Sequence, residues 1–192
     1  MTSYYKENQN GRSMVEMLGV LAIIGVLSVG GISGYSKAMA KFKLTKAQDQ
    51  ISMLLMNVRT AFATSPNYSG LNNDAAVKFN IAPTDMVPNA AGSYINHAFG
   101  GAVTIAAETV GTGTNQYFSI TLNKLGREAC VSLASSDWGT DGLVSMTVGE
   151  DGQDGVEHLA ASLPISPITA GDETTGGCGG KGTYNTIKWI YY

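Results

Sequence analysis

Histidine and cysteine are scarce in this chain, two of each among 192 residues, and their placement excludes the chemistry those residues most often serve. His97 and His158 stand in no metal-ligand spacing with Cys130 or Cys178. Neither cysteine belongs to a CxxC, so neither a zinc centre nor a redox dithiol is legible. Basic residues are also scarce after Arg59. Residues 60–192 carry five against twelve acidic, a net of −7, whereas the chain through Arg59 carries seven against three, a net of +4. The acidic part lacks the basic footprint that nucleic-acid binding requires, and no such partner is expected. The glycine-rich stretch Gly176 to Gly182 lacks the first Gly and the closing Ser or Thr of a phosphate-binding loop, and reads as flexible backbone. Glu150, Asp151, Asp154 and Glu157 are gathered in one stretch, but Asp-Gly-Gln-Asp departs from the EF-hand ligand pattern, and acidic glycine turns are common without an ion. No Ser/His/Asp arrangement is visible from spacing. No enzyme, cofactor or metal site is therefore expected.

Charge is missing from a second place, and there the absence is informative. From Met14 to Ile32 the only charged residue among 19 is Glu16, and a helix of that length, at about 1.5 Å per residue, spans roughly the hydrocarbon core of a bilayer. A carboxylate near such a segment usually marks a specific partner. The nearest candidate is a cation on another copy of the chain, namely a new amino terminus made by cutting after Gly11. The apolar pattern then turns amphipathic, with Phe42, Leu44, Ala47, Ile51, Leu54, Leu55, Val58, Ala61 and Phe62 at steps of three and four. One helix from about Ser13 to Ala63 is expected, ended by Ser65-Pro66-Asn67. Its first half is apolar all round, so it needs lipid or other copies of itself. Gly30 and Gly34 have the GxxxG spacing that permits close helix approach.

Gly11-Arg12-Ser13-Met14-Val15-Glu16 with its apolar run resembles the start of the type IV pilins and of the related pseudopilins of type II secretion systems. The match covers about residues 1–40. It implies a polar leader ending at Gly11, a cut by prepilin peptidase with N-methylation of Arg12, and Glu16 as the fifth mature residue. Arg12 departs from the Phe, Met or Leu more usual at that position. The leader length and the 181-residue mature chain are more similar to the type IVb group.

Topology signals conflict. Lys37, Lys41, Lys43 and Lys46 follow the apolar run while only Lys6 and Arg12 precede it, so the positive-inside rule alone would keep the C-terminal part in the cytoplasm. The even pair Cys130 and Cys178 instead suits a disulfide in an oxidising compartment, with two free thiols as the alternative. A third signal, Ala38-Met39-Ala40, has the form cut by ordinary signal peptidase and would release a domain beginning at Lys41.

After Pro66 the composition changes to Gly, Ser, Thr and Asn with alternating apolar residues, which predicts a strand-rich unit with one core. Strands are expected at Ala102 to Ala106, Gln116 to Leu122, Leu143 to Val148 and Tyr184 to Tyr191, and a short helix over Lys124 to Ser135. The fold class is α+β, with a long helix packed on an antiparallel sheet, and the resemblance implies the same. It further implies a segmentation into a leader (1–11), an assembly helix (12–35), its amphipathic half (36–64) and a head (65–192). The precursor would sit in the inner membrane with its head in the periplasm, then join an extracellular filament. The partners implied are further copies of the chain, the prepilin peptidase and the inner-membrane assembly machinery. A pseudopilin, a single-span protein with a periplasmic binding domain, and a secreted domain are the alternatives.

Overall fold

Proline is absent from Met14 to Ala61, and in the computed structural model of the protein these 48 residues form one α-helix, α1. The structure describes residues 14–88, 92–139, 141–180 and 182–192. The chain divides into two units between Lys41 and Phe42. In the first unit the described residues are all helical, and those from Met14 to Ala38 are exposed. An 18-residue window of α1 reaches a mean hydropathy of 2.2, long and apolar enough to cross a membrane by length and composition. Helix α1 stops at Ala61, where the Phe62 N–H still donates to the Val58 carbonyl at 3.0 Å and Pro66 follows within a turn.

In the second unit α1 buries one face. Ala47, Gln50, Ile51, Leu54 and Val58 recur at helical spacing and are withdrawn from solvent, the stripe an amphipathic helix presents to a core. Gln50 is the polar member, and both ends of its amide are used. Its Nε2–H donates to Asp85 Oδ2 at 2.8 Å, and its Oε1 accepts the Ala98 N–H at 2.9 Å. Lys46 pairs with Asp85 at 3.1 Å.

A short helix α2 (Asn73–Lys78) follows, begun by the Asn72 side chain, whose oxygen accepts the Ala75 N–H at 2.9 Å. The strands are β1 (Ile95–Asn96), β2 (Ala102–Val110), β3 (Gly113–Leu125), β4 (Leu143–Glu150), β5 (Val156–Leu159) and β6 (Asn185–Tyr191), with helices α3 (Arg127–Ala134) and α4 (Pro167–Ala170) between them. They form one antiparallel sheet in the order β1-β2-β3-β6-β4-β5. Its register sets Ile105, Ile120, Trp189, Met146 and His158 side by side across five strands, and all five are buried. Phe118, Tyr191, Leu122 and Ile187 complete this layer, against which Leu54 and Val58 belong to the same core.

Past Val103, strand β2 has no strand neighbour on its outer side among the described residues. The Asn73 side chain takes that place. Its Nδ2–H donates to the Val103 carbonyl and its Oδ1 accepts the Ile105 N–H, both at 2.8 Å, while the Ala107 N–H donates to the Leu71 carbonyl at 3.2 Å.

The α+β architecture with its long helix and antiparallel sheet is the expected one. Differences lie at element ends and in short elements. The helix expected from Lys124 begins at Arg127, because Lys124 adopts a φ of 58° and Leu125 still pairs with Asn185, leaving Gly126 as the residue before the first turn. Helices α2 and α4 and strands β1 and β5 were not legible at all, each being six residues or fewer.

Candidate functional site

Glu16 lies in the first turn of α1, where a carboxylate faces the positive end of the helix dipole. Around it Met14, Val15, Met17 and Leu18 are exposed, at 83%, 75%, 47% and 63% of their surface, so none of the described residues covers this stretch. Gly11 and Arg12 lie outside the described residues. At Gly19, Gly25, Gly30, Gly31 and Gly34 an added Cβ would meet no atom of this chain outside the local helix backbone. Contacts among the described residues therefore do not require these glycines. Each weakens a helix in water by about 1 kcal/mol relative to Ala, a cost that close helix approach between copies would offset. Ala38, Met39 and Ala40 fall within α1.

The second cluster surrounds the cysteines. The structure joins Cys130, on α3, to Cys178, in the loop before β6, with 6.0 Å between their Cα atoms and both residues fully buried. Closing 48 residues of chain stabilises by about 4 kcal/mol in the chain-entropy picture. Two side chains missed by sequence reasoning hold the loop in place. The Arg127 guanidinium donates to the carbonyls of Cys178 at 3.1 Å, Gly179 at 2.6 Å and Gly171 at 2.5 Å. The buried Asn185 accepts the Gly179 N–H at 2.6 Å and donates to the Leu125 carbonyl at 3.3 Å. The available signal was a run of glycine carbonyls near a buried cysteine, groups that need donors.

The acidic stretch is divided by the fold. Asp151 accepts the Lys124 N–H at 3.1 Å and also the Thr186 hydroxyl. Glu150, Asp154 and Glu173 line a cavity of about 250 Å3 floored by Gly149, Gly177 and Gly179. Among the described residues no group of three or more ligating side chains is placed to hold a metal. His97 is buried and doubly engaged. Its Nε2–H donates to the Asn123 carbonyl at 2.8 Å, and its Nδ1 accepts the Phe99 N–H at 3.2 Å. That arrangement belongs to the neutral ring, and burial holds its pKa below the ordinary value despite the opposing Asn123 contact. Tyr68 packs between Phe62 and Phe118, with ring centroids 5.4 and 4.7 Å away. Trp138 meets Trp189 edge-on at 4.9 Å. Asp172 caps its own turn through Thr174 and Thr175, and the Thr174 hydroxyl foremost keeps its carboxyl below the usual range.

The described residues thus hold two features, an exposed apolar helix in the first unit and, in the second, a head stabilised by a disulfide and the hydrogen bonds of Arg127 and Asn185. Known proteins are similar to this chain in sequence and in fold. The family described as PilS N terminal matches residues 42–190. The major structural subunit of the bundle-forming pilus of Escherichia coli O127:H6 (strain E2348/69 / EPEC) is 26% identical over 194 residues, covering 97% of this chain and 95% of that protein. Among solved structures, the type IVb pilin of Salmonella typhi aligns over 79% of this chain and 98% of its own, with a TM-score of 0.53 at 24% identity. TcpA, a type IV pilin from Vibrio cholerae El Tor biotype, aligns over 78% and 99%, with a TM-score of 0.52 at 16% identity, a likeness of fold. With 149 consecutive residues of its head and helix matched by one family, this chain belongs to the PilS family of type IV pilins, the structural subunits of type IV pili.

Proposed function

We propose that the chain is stored as a single-span precursor in the inner membrane, cut by prepilin peptidase after Gly11, and polymerised into an extracellular pilus through bundled α1 helices. The observation that carries this reading is the uncovered surface of α1. From Met14 to Ala38 every residue is exposed, in a run whose only charges are Glu16 and Lys37. Such a surface requires lipid before assembly and copies of itself afterwards. Burial of Leu18, Val20, Leu21, Ile23, Ile24, Val26 and Leu27 among copies replaces lipid contacts, so its net gain falls below the about 25 cal/mol per Å2 of transfer from water.

Glu16 compensates the new amino group of Arg12 on a neighbouring copy, which removes the cost of an unpaired carboxylate in an apolar bundle. The disulfide supports a periplasmic head, since such bonds persist in oxidising compartments. The prepilin peptidase and the inner-membrane assembly machinery are the further partners, and the role is structural rather than catalytic.

The test is the N-terminal residue and intact mass of the protein taken from filaments of its native host. A chain starting at Arg12, with or without an added methyl group, is expected. A start at Met1 would leave a plain anchor and a start at Lys41 a released domain, and either result would overturn the proposal.

A further inference from the structure

The charged residues of the first unit bracket its apolar stretch. Glu16 and Lys37 are separated by 21 residues of continuous helix, about 32 Å at 1.5 Å per residue, which equals the thickness of a bilayer's hydrocarbon core. With Glu16 at one edge of the hydrocarbon core, Lys37 lies at the other edge, where its long side chain reaches the headgroup level. Lys41 follows one turn later on the same face, and Tyr35, 67% exposed, precedes them at the depth where aromatic rings favour the interface. Both lysines are exposed.

Among the described residues neither lysine has a carboxylate partner, whereas Lys46, further along the helix, is paired with Asp85. Two like charges at i and i+4 destabilise a helix slightly unless something anionic faces them. The described residues supply nothing of that kind. The positive-inside rule places such residues on the cytoplasmic side, yet this pair stands on the side opposite the leader. Its position therefore calls for a compensating surface.

We infer that Tyr35, Lys37 and Lys41 form an interfacial collar that binds the phosphates of anionic phospholipid headgroups on the outer face of the inner membrane. It rests on the membrane-stored precursor proposed above and adds the lipid class that the precursor selects. The apolar span fixes the depth, the two ammonium groups supply the attraction, and the ring of Tyr35 sets the level at which they meet the phosphates. Release into a filament then has to break these contacts, so anionic lipid retains the subunit until the assembly machinery extracts it.

The full chain is reconstituted into phosphatidylcholine vesicles with and without phosphatidylglycerol. Resistance to alkaline extraction from phosphatidylcholine alone reports insertion, and the lipid that copurifies after mild detergent treatment reports selection. Wild-type protein is expected to insert in both and to enrich phosphatidylglycerol roughly fivefold per lysine at low salt, with the preference lost at high salt. The pair Lys37→Gln and Lys41→Gln should insert equally and lose the enrichment these two lysines supply, roughly fivefold for each. Equal enrichment by the double variant, or enrichment indifferent to salt, overturns the collar while leaving the anchored precursor intact. Unchanged lipid selection with lost filaments in that variant also overturns it, because the lysines would then serve the acidic head of a second copy. Failure of the wild type to insert overturns the precursor reading, and the collar with it.

Discussion

One helix, α1, is built in two ways. Between Met14 and Lys41 it holds five glycines, buries nothing, and exposes a dozen large apolar side chains. Between Phe42 and Ala61 it holds no glycine and buries a five-residue stripe against a core that includes Trp189 and Phe118. The backbone is the same in both, so the difference lies in what supplies the free energy. The second part is stabilised by its own chain, whereas the first depends on a surrounding that the chain does not contain. Local propensity points the same way, since glycine-rich helix is marginal in water and tolerated in lipid or in a bundle.

The largest expected effect acts only on the first part. A Glu16→Ala chain should insert and fold normally yet give no filaments in the sheared-pilus fraction, and wild-type filament yield would remove Glu16 from the assembly role. The next acts only on the second. Replacing Cys130 and Cys178 together by Ser should lower the head's stability by about 4 kcal/mol, read as a shift of the denaturant midpoint monitored by tryptophan fluorescence. A shift of a few tenths of a kcal/mol would mean that the Arg127 and Asn185 bonds hold the loop without the bond.

Paired truncations sharpen the contrast. Leu54→Ala, in the buried stripe, should cost about 3 kcal/mol of head stability, in the range for emptied core sites. Leu21→Ala should leave the same midpoint unchanged. Equal losses would show that the two stretches form a single folding unit.

The smallest effect is one of pH, again confined to the head. The folded pKa of His97 is lowered by burial, so the fold favours its neutral ring. Its contribution is present above the unfolded value of about 6.5 and is lost as pH falls below it. The melting temperature should therefore drop between pH 7 and pH 5, and a His97→Gln chain should show a flatter profile there. Asp85 and Asp172, whose pKa values are lowered, chiefly by the Gln50 and Thr174 side chains respectively, act below this window because their ordinary value lies near 3.8. An identical drop in the variant would assign the effect elsewhere.

What was legible in the sequence follows from length. The long helix showed itself through 48 residues without proline, a 19-residue apolar run and a three-and-four repeat after it. The longer strands showed themselves by alternation, though β2 runs to Val110 rather than Ala106, and β3 spans Gly113 to Leu125 around the expected Gln116 to Leu122. Elements set by a single side chain did not. Helix α2 depends on Asn72 as its cap, and β5 is four residues beside an acidic glycine turn. Arg127 escaped notice because its acceptors are main-chain carbonyls 44 to 52 residues away, which no side-chain pattern encodes. Tyr68, His97 and Trp138 carried no motif because their work is packing and local hydrogen bonding.

Asn73 bears on a different hazard. A pilus subunit is packed beside many identical copies, so sheet edges of the same sequence meet at high local concentration. An open strand edge offers main-chain donors and acceptors to any chain that comes alongside. By occupying the Val103 carbonyl and the Ile105 N–H, the Asn73 amide ends the ladder on β2. Two main-chain groups of β2 are thereby withheld from any strand that comes alongside, the kind of edge protection that opposes strand addition.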